Sequence, residues 1–420
     1  MNKNGTNFKH MAGKFVNPIL NASQTVAKIQ VKLTSDVISD TTKLMGTSGE
    51  LKKGTGLLSG VFALNLAILC FLGVLAFHYP QYLTTPELRG KYNVEIIRQI
   101  MFAALLISGF CSLVNIVLNR KRSINLAAFG LVLATVVLGG TRVPVENFPD
   151  NTPYLGLDWF ILDLLGSTAV FVILEKMFPL YKNQLLFRKA WQNDLVHFGF
   201  NHLIIGFMLL VVNFTIHYAF GWMVKNELQE FIQGIWFIPQ LILCIFVADF
   251  VEYWTHRSYH EVPFLWRFHA VHHSSMEMDW LAGSRLHFME IIVTRVLILG
   301  ALYVLGFSKG VLDAYIIVVG FQAVFNHANV HLNWGPLRYV FVTPDFHHWH
   351  HASDDEAIDK NYAAHFSFID YIFRTAVDSE KKFPEKYGVV GNYVPDGFVN
   401  QQMFPFRRVL SYWKEKFKGK

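Results

Sequence analysis

Long apolar runs alternate with short polar segments along most of this chain. The runs cover about residues 55–77, 99–118, 124–140, 157–178, 203–224 and 232–254. Each approaches the roughly 20 residues that a helix needs to cross a hydrocarbon core. Two shorter runs, about 288–307 and 311–325, are separated only by Ser308, Lys309 and Gly310. That spacing predicts a tight helical hairpin, one that either spans or enters and returns. No strand-rich region is visible. The expected fold is an all-α integral membrane protein with about six transmembrane helices, the hairpin and a histidine-rich cap. Four segments are expected: a polar N-terminal stretch (1–53), three extra transmembrane helices (54–150), a domain that includes the hairpin and the histidine-rich cap (151–378) and a basic, aromatic tail (379–420). The tail carries Phe406, Arg407, Arg408, Trp413 and Lys414, a composition suited to a membrane surface.

Composition supports the membrane reading. Of 420 residues, 52% are hydrophobic and 16% charged, against about 25% charged in average soluble domains. Mean hydropathy is +0.30. A disordered chain, a collagen and a disulfide scaffold are all excluded by this balance. The formal net charge of +6 is better explained by basic loops on the cytoplasmic side than by nucleic acid. With the N-terminus inside, segments 1–53, 119–123 and 180–200 hold 14 Lys and Arg, and the opposite segments 80–98, 141–156 and 223–231 hold five. This orientation places everything after Trp254 on the cytoplasmic face. Cys70, Cys111 and Cys244 each sit inside an apolar run and none is spaced as CxxC, which argues against iron–sulfur or zinc–thiolate chemistry.

Histidine changes the picture most. Thirteen of 18 fall between His256 and His365. HRSYH places His256 and His260 four residues apart, on one helical face. HAVHH gives His269, His272 and His273 at i, i+3 and i+4, again read as one face. HANVH gives His327 and His331, and HHWHH gives His347, His350 and His351, with His348 off the stripe. Neutral imidazole is a ligand for iron, zinc and copper. Four such segments converging supply ten nitrogens, enough for two metal ions.

A lone histidine is usually structural, but four spaced sets within 96 residues are not lone. A zincin would need HExxH, and Phe264 stands where its second histidine belongs. A metal transporter would distribute ligands or acids among several membrane helices; here the histidines cluster beyond one. The fourth run does hold Asp158, Asp163 and Glu175, with Asp163 expected to pair with a neighbouring helix. A non-enzymatic metal-binding membrane protein or transporter stands as the competing reading. Asp249 and Glu252 precede His256 by seven and four residues, on the same stripe, and are candidates to orient the imidazoles. Tyr253, Asp345, Asp354 and Asp370 are similar candidates.

The series HRSYH, HAVHH, HANVH, HHWHH, within DFVEYWTHRSYHEVPFLWRFHAVHHS, NHANVHLNWGPL and TPDFHHWHH, resembles the fatty acid hydroxylase superfamily, also called the sterol desaturase family, and its bacterial members most closely. The resemblance is strong from Asp249 to Tyr371 and weaker back to about residue 156. It implies an integral-membrane oxidoreductase with a di-iron centre, O₂ as cosubstrate, a lipid substrate and an external electron donor. The implied ligands are His256, His260, His269, His272, His273, His327, His331, His347, His350 and His351. His287, in SRLHFME, matches a family position usually followed by proline, where Phe288 stands; it is expected as a further ligand or on the substrate side. Asp249 is favoured by the motif as an orienting residue. Zinc is a possible occupant of the same nitrogens in purified protein. With no haem HPGG stretch, dinucleotide fingerprint or cysteine cluster, the electrons are expected from a separate cytochrome b5, ferredoxin or reductase. Sterol, fatty acyl, hopanoid, carotenoid, sphingoid and ether-lipid substrates all fit, as do hydroxylation and desaturation, which begin with the same hydrogen abstraction.

Overall fold

The computed structural model describes residues 57–89, 91–118, 122–145, 154–377 and 383–406. The expected polar segment 1–53 and the tail beyond residue 406 lie outside them. Every regular element among the described residues is helical, and the only β pairings are two isolated bridges, Pro179 with Val330 and Ala352 with Tyr387. Eight helices are long and apolar enough to cross a membrane. Both arms of the hairpin reach that length.

The chain divides into two compact units. In the first, helices α1 (Leu57–His78), α2 (Val94–Leu118) and α3 (Ser123–Val137) pack against one another. Ala67, Cys70, Val74, Met101, Leu105 and Val132 fill their centre. Small polar residues let the backbones approach, and Ser108 Oγ donates to the Ala63 carbonyl at 2.7 Å. The other faces are apolar and exposed, as with Phe110 and Val117 at 70% each, which suits contact with lipid.

The second unit carries the histidines. Its helices are α4 (Leu157–Met177), α5 (Trp191–Leu203), α6 (Ile205–Phe220), α7 (Phe237–Glu261), α8 (Pro263–His269), α9 (Phe288–Leu305), α10 (Lys309–His327), α11 (Pro344–His350) and α12 (Phe368–Phe373). Asp163 of α4 pairs with His202 of α5, Oδ2 to Nε2 at 2.7 Å. Between α7, α9 and α10 lies a core of Cys244, Ala248, Ile298, Leu302, Val311 and Tyr315. The α9–α10 turn needs Gly306 at φ 68°. It is locked by Gln240, whose Oε1 accepts from the Ser308 N–H and hydroxyl and whose Nε2 donates to the Ile232 carbonyl.

The hairpin brings the chain back to where α7 ended. Helix α7 stops at Val262 because the following proline disfavours a helical residue before it. Pro263 then opens α8 at its first turn, where a missing N–H costs nothing. Helix α10 stops at Ala328, where ψ swings to 143°. Helix α11 opens with Thr343 accepting from the Phe346 N–H, and Pro344 follows it. These helix ends together carry the clustered histidines.

Candidate metal centre

Nine imidazoles converge into two groups. His256, His260, His269, His273 and His350 form the first, and His272, His327, His347 and His351 the second; within each, one ring nitrogen per residue lies within 4.8 Å of all the others. In the first group, His269 Nε2 lies 3.0 Å from His256 Nε2 and 3.1 Å from His273 Nε2. In the second, His327 Nε2 lies 3.2 Å from His272 Nε2 and 3.1 Å from both His347 Nε2 and His351 Nε2.

The spacing sorts the histidines differently from the one-face expectation. Pairs at i, i+4 stay together: His256 with His260, His269 with His273, His347 with His351. His272 and His350, one position off, cross into the opposite group. For His272 the reason is that α8 ends at His269 and a 3₁₀ turn carries His272–Ser274, so HAVHH is not one continuous α-helical face. The two groups interleave through the same short segments.

The opposite ring nitrogens decide what these groups can hold. His256 Nδ1 faces the Tyr362 carbonyl at 2.7 Å, His272 Nδ1 that of Arg285 at 3.1 Å, His327 Nδ1 that of Ala323 at 2.7 Å, and His350 Nδ1 that of Lys360 at 2.7 Å. His269 Nδ1 faces Glu290 Oε1 at 2.7 Å. Carbonyls and carboxylates only accept, so each of these Nδ1 atoms carries the proton. Each Nε2 then presents a lone pair. Burial, followed by the mutual repulsion of neighbouring imidazoles, holds His269, His272, His273, His347, His350 and His351 well below the usual histidine range. The rings are neutral, and lone pairs face each other at 3.0–3.2 Å. A cation shared between the nitrogens would make that arrangement favourable. The buried Nε2 atoms of His260 and His350 and Nδ1 of His347 also lack a hydrogen-bond partner. The donor set fits metal ions that accept nitrogen ligands, two per chain.

Three predicted residues lie elsewhere. His331 is outside both groups: α10 ends at His327, the helical spacing no longer applies, and the half-exposed His331 ring pairs with Asp345 at 2.9 Å. His287 is fully buried and caps α9, its Nδ1 accepting from the Met289 N–H while Nε2 donates to the Gln402 carbonyl at 2.8 Å. Asp249 touches no imidazole. Its carboxylate accepts the backbone N–H groups of Ala364, His365 and Phe366 at 2.6–3.1 Å. Asp370 accepts those of Tyr362 and Ala363, both at 2.8 Å. The two acids fix the 362–366 loop, and Tyr362 in that loop receives His256. Asp249 thus supports a histidine through the backbone rather than by direct contact. His348, off the stripe, reaches the His327 and Ala328 carbonyls through Nε2 and Tyr387 through Nδ1. His365 pairs with Gln322.

Other contributors were not foreseen. Glu290 is 21 residues from His269, so no helical period connects them. Arg188, Asp194, Asp279 and Arg285 form a buried ion-pair network, with Arg188 bridging Asp194 at 2.5 Å and Asp279 at 2.8 Å, and Asp194 holding Arg285 at 2.5 Å. Burial opposes the Arg188 charge, but Asp279 and Asp194 outweigh it and hold the guanidinium above its usual range. Arg285 in turn offers its carbonyl to His272. In the described part of the C-terminal region, Gln401 accepts from His197 and Asn193 and donates to Ser274, next to His273.

Residues 241–375 match the family model described as fatty acid hydroxylase. An ornithine lipid hydroxylase of Rhizobium tropici is 28% identical over 265 residues, covering 60% of this chain and 76% of that protein. The alkylglycerol monooxygenase of Caenorhabditis elegans is 31% identical over 36% of this chain and 30% of its own length. A very-long-chain aldehyde decarbonylase of rice is 30% identical over 33% of this chain and 23% of its own. The chain therefore spans about three quarters of the first relative and less than a third of the other two. No solved structure matches.

Proposed function

Because residues 241–375 belong to the fatty acid hydroxylase family, and eight apolar helices make the chain a multi-pass membrane protein, we propose that it is an O₂-dependent di-iron hydroxylase acting on a lipid. The observation that carries this reading is the convergence of nine histidines into two neutral groups whose lone pairs point at one another. These nine imidazoles would hold two irons, which, with electrons from a separate donor, would supply the O₂ activation that hydrogen abstraction from an unactivated C–H bond needs. Each residue of the chain has a simpler task. The accepting groups behind the rings fix one tautomer and one ring orientation. The metal-facing nitrogens are deeply buried, so bulk water is kept from the reacting centre. Asp249 and Asp370 hold the loop that holds His256.

The substrate is proposed to be a membrane lipid because the site lies at the ends of α7 and α10, which are themselves candidate spans. Those helices share the apolar layer in which acyl and isoprenoid chains lie. Hydroxylation is favoured over desaturation because the relative covered over most of its length is named a hydroxylase and another a monooxygenase. The N-terminus and the histidine groups are assigned to the cytoplasmic side, a reading supported by the excess of Lys and Arg in segments 1–53, 119–123 and 180–200. Electrons come from a separate donor protein docking on that basic face.

The test is to express the chain in a host under ¹⁸O₂ and compare extracted lipids with those from the His272→Ala, His350→Ala variant. The reading predicts a lipid carrying one labelled oxygen only with the parent chain. A new alkene without label would convert the assignment to a desaturase. Identical lipids from both chains, with the protein folded and metal-loaded, would contradict it.

A further inference from the structure

Among the nine clustered histidines, His269 alone has a buried carboxylate behind its ring. Glu290 Oε1 accepts from His269 Nδ1 at 2.7 Å, and the two side chains are 6% and 3% exposed. Behind His256, His272, His327 and His350 stand neutral backbone carbonyls. His260 Nδ1 meets Asp359 at 3.3 Å, but that side chain is 52% exposed, so water screens it. Both carboxylates therefore serve the five-histidine group. Among the described residues, the four-histidine group has none at hydrogen-bond distance.

We propose that Glu290 is a positioning residue that makes the two histidine groups unequal, giving the group of His256, His260, His269, His273 and His350 the tighter hold on a metal ion. This rests on the metal-centre reading above. A carboxylate behind an imidazole raises the basicity of the opposite nitrogen and fixes the ring. In a site shielded from water a charge on Glu290 acts across the ring more strongly than it would in solvent. Its second oxygen, Oε2, is buried without a hydrogen-bond partner. A buried carboxylate half satisfied in this way is unfavourable alone, and a cation on the far side of His269 offsets it. Helix α9 is clamped to deliver the carboxylate there. The Tyr259 hydroxyl of α7 reaches the Glu290 carbonyl at 3.3 Å and Thr294 Oγ1 at 2.9 Å, and its ring stacks on His269 with centroids 5.5 Å apart. Glu290 is fixed at both its backbone and its carboxylate.

The test uses the full-length protein, stripped of metal with a chelator and titrated with cobalt(II) while visible absorption and bound metal per chain are followed. The parent is expected to take up two equivalents in separable steps, the first tighter. His269→Ala assigns the first step to its group. Glu290→Gln keeps an acceptor for the Nδ1 proton and removes the charge with little change of shape; it is expected to weaken the first step about tenfold, and Glu290→Ala up to about a hundredfold. The second step is expected to hold in both variants. Equal weakening of both steps, or an unchanged first step in folded Glu290→Gln, would overturn the proposal. A folded parent that binds no cobalt would overturn the metal centre itself, a result distinct from either.

Discussion

His256 and His269 face each other Nε2 to Nε2 at 3.0 Å, while a carbonyl behind one and a carboxylate behind the other require each Nδ1 to carry the proton. No hydrogen remains to place between them. The same logic joins His272 to His327. Two lone pairs so close repel unless a cation lies between them, and this local contradiction points to metal more directly than the number of histidines does.

If group membership decides ligation, histidines that the sequence motifs offer alike as ligands will behave differently. His331→Ala removes a half-exposed ring paired with Asp345 and should leave metal per chain unchanged. His347→Ala removes a nitrogen 3.1 Å from two others and should lose about one ion. Elemental analysis of the two purified variants checks this; equal losses would contradict the grouping.

Gly283 shows how closely the second group is packed. A Cβ there would stand 2.7 Å from His327 Nδ1 and 2.9 Å from its Cγ, and that ring is buried and already held by Ala323. Gly283→Ala is expected to tilt the ring and weaken metal in the four-histidine group by about tenfold or more, sparing the other. Metal titration of the variant reads this directly. An unaltered second step would show that the loop yields instead.

Asp249 is a structural acid here. Asp249→Ala strips acceptors from three backbone N–H groups, and unsatisfied buried donors cost about 1–3 kcal/mol each. A melting temperature lowered by several degrees in detergent is expected, together with weakened metal binding through the freed Tyr362 loop. Asp249→Asn, which retains one oxygen acceptor, should fall between the two. Full metal content with parental melting in Asp249→Ala would refute the tethering role.

His287 supplies a pH dependence. Burial holds its ring down to about 4, whereas an exposed imidazole titrates near ~6.5. Between those values the unfolded chain takes up a proton that the folded chain refuses, so stability falls as pH drops through that window. Melting temperature measured between pH 6.5 and 4.5 should decline less steeply for His287→Gln than for the parent. Parallel slopes would mean that this ring is not the group responsible.

Much of the fold was legible because apolar runs near 20 residues have few alternatives to spanning helices. The histidine boxes were legible because i, i+4 pairs on a helix must share a side. Reading failed where the helix ended. HANVH looks like a helical pair, yet the backbone turns extended at Ala328 and His331 points elsewhere. HAVHH looks like one face, yet the 3₁₀ turn sends His272 across to the other group. Asp249 shares a stripe with His256, as expected, but spends its carboxylate on a loop more than 110 residues away in sequence. Glu290 and the Arg188–Asp279 network are tertiary pairings that no local period encodes.

The most direct test of the central claim is metal per chain in anaerobically prepared, iron-supplied protein, beside the His272→Ala, His350→Ala variant, which removes one nitrogen from each group. The account predicts close to two irons in the parent and a large loss in the variant. Intact, folded parent protein without stoichiometric metal would contradict it.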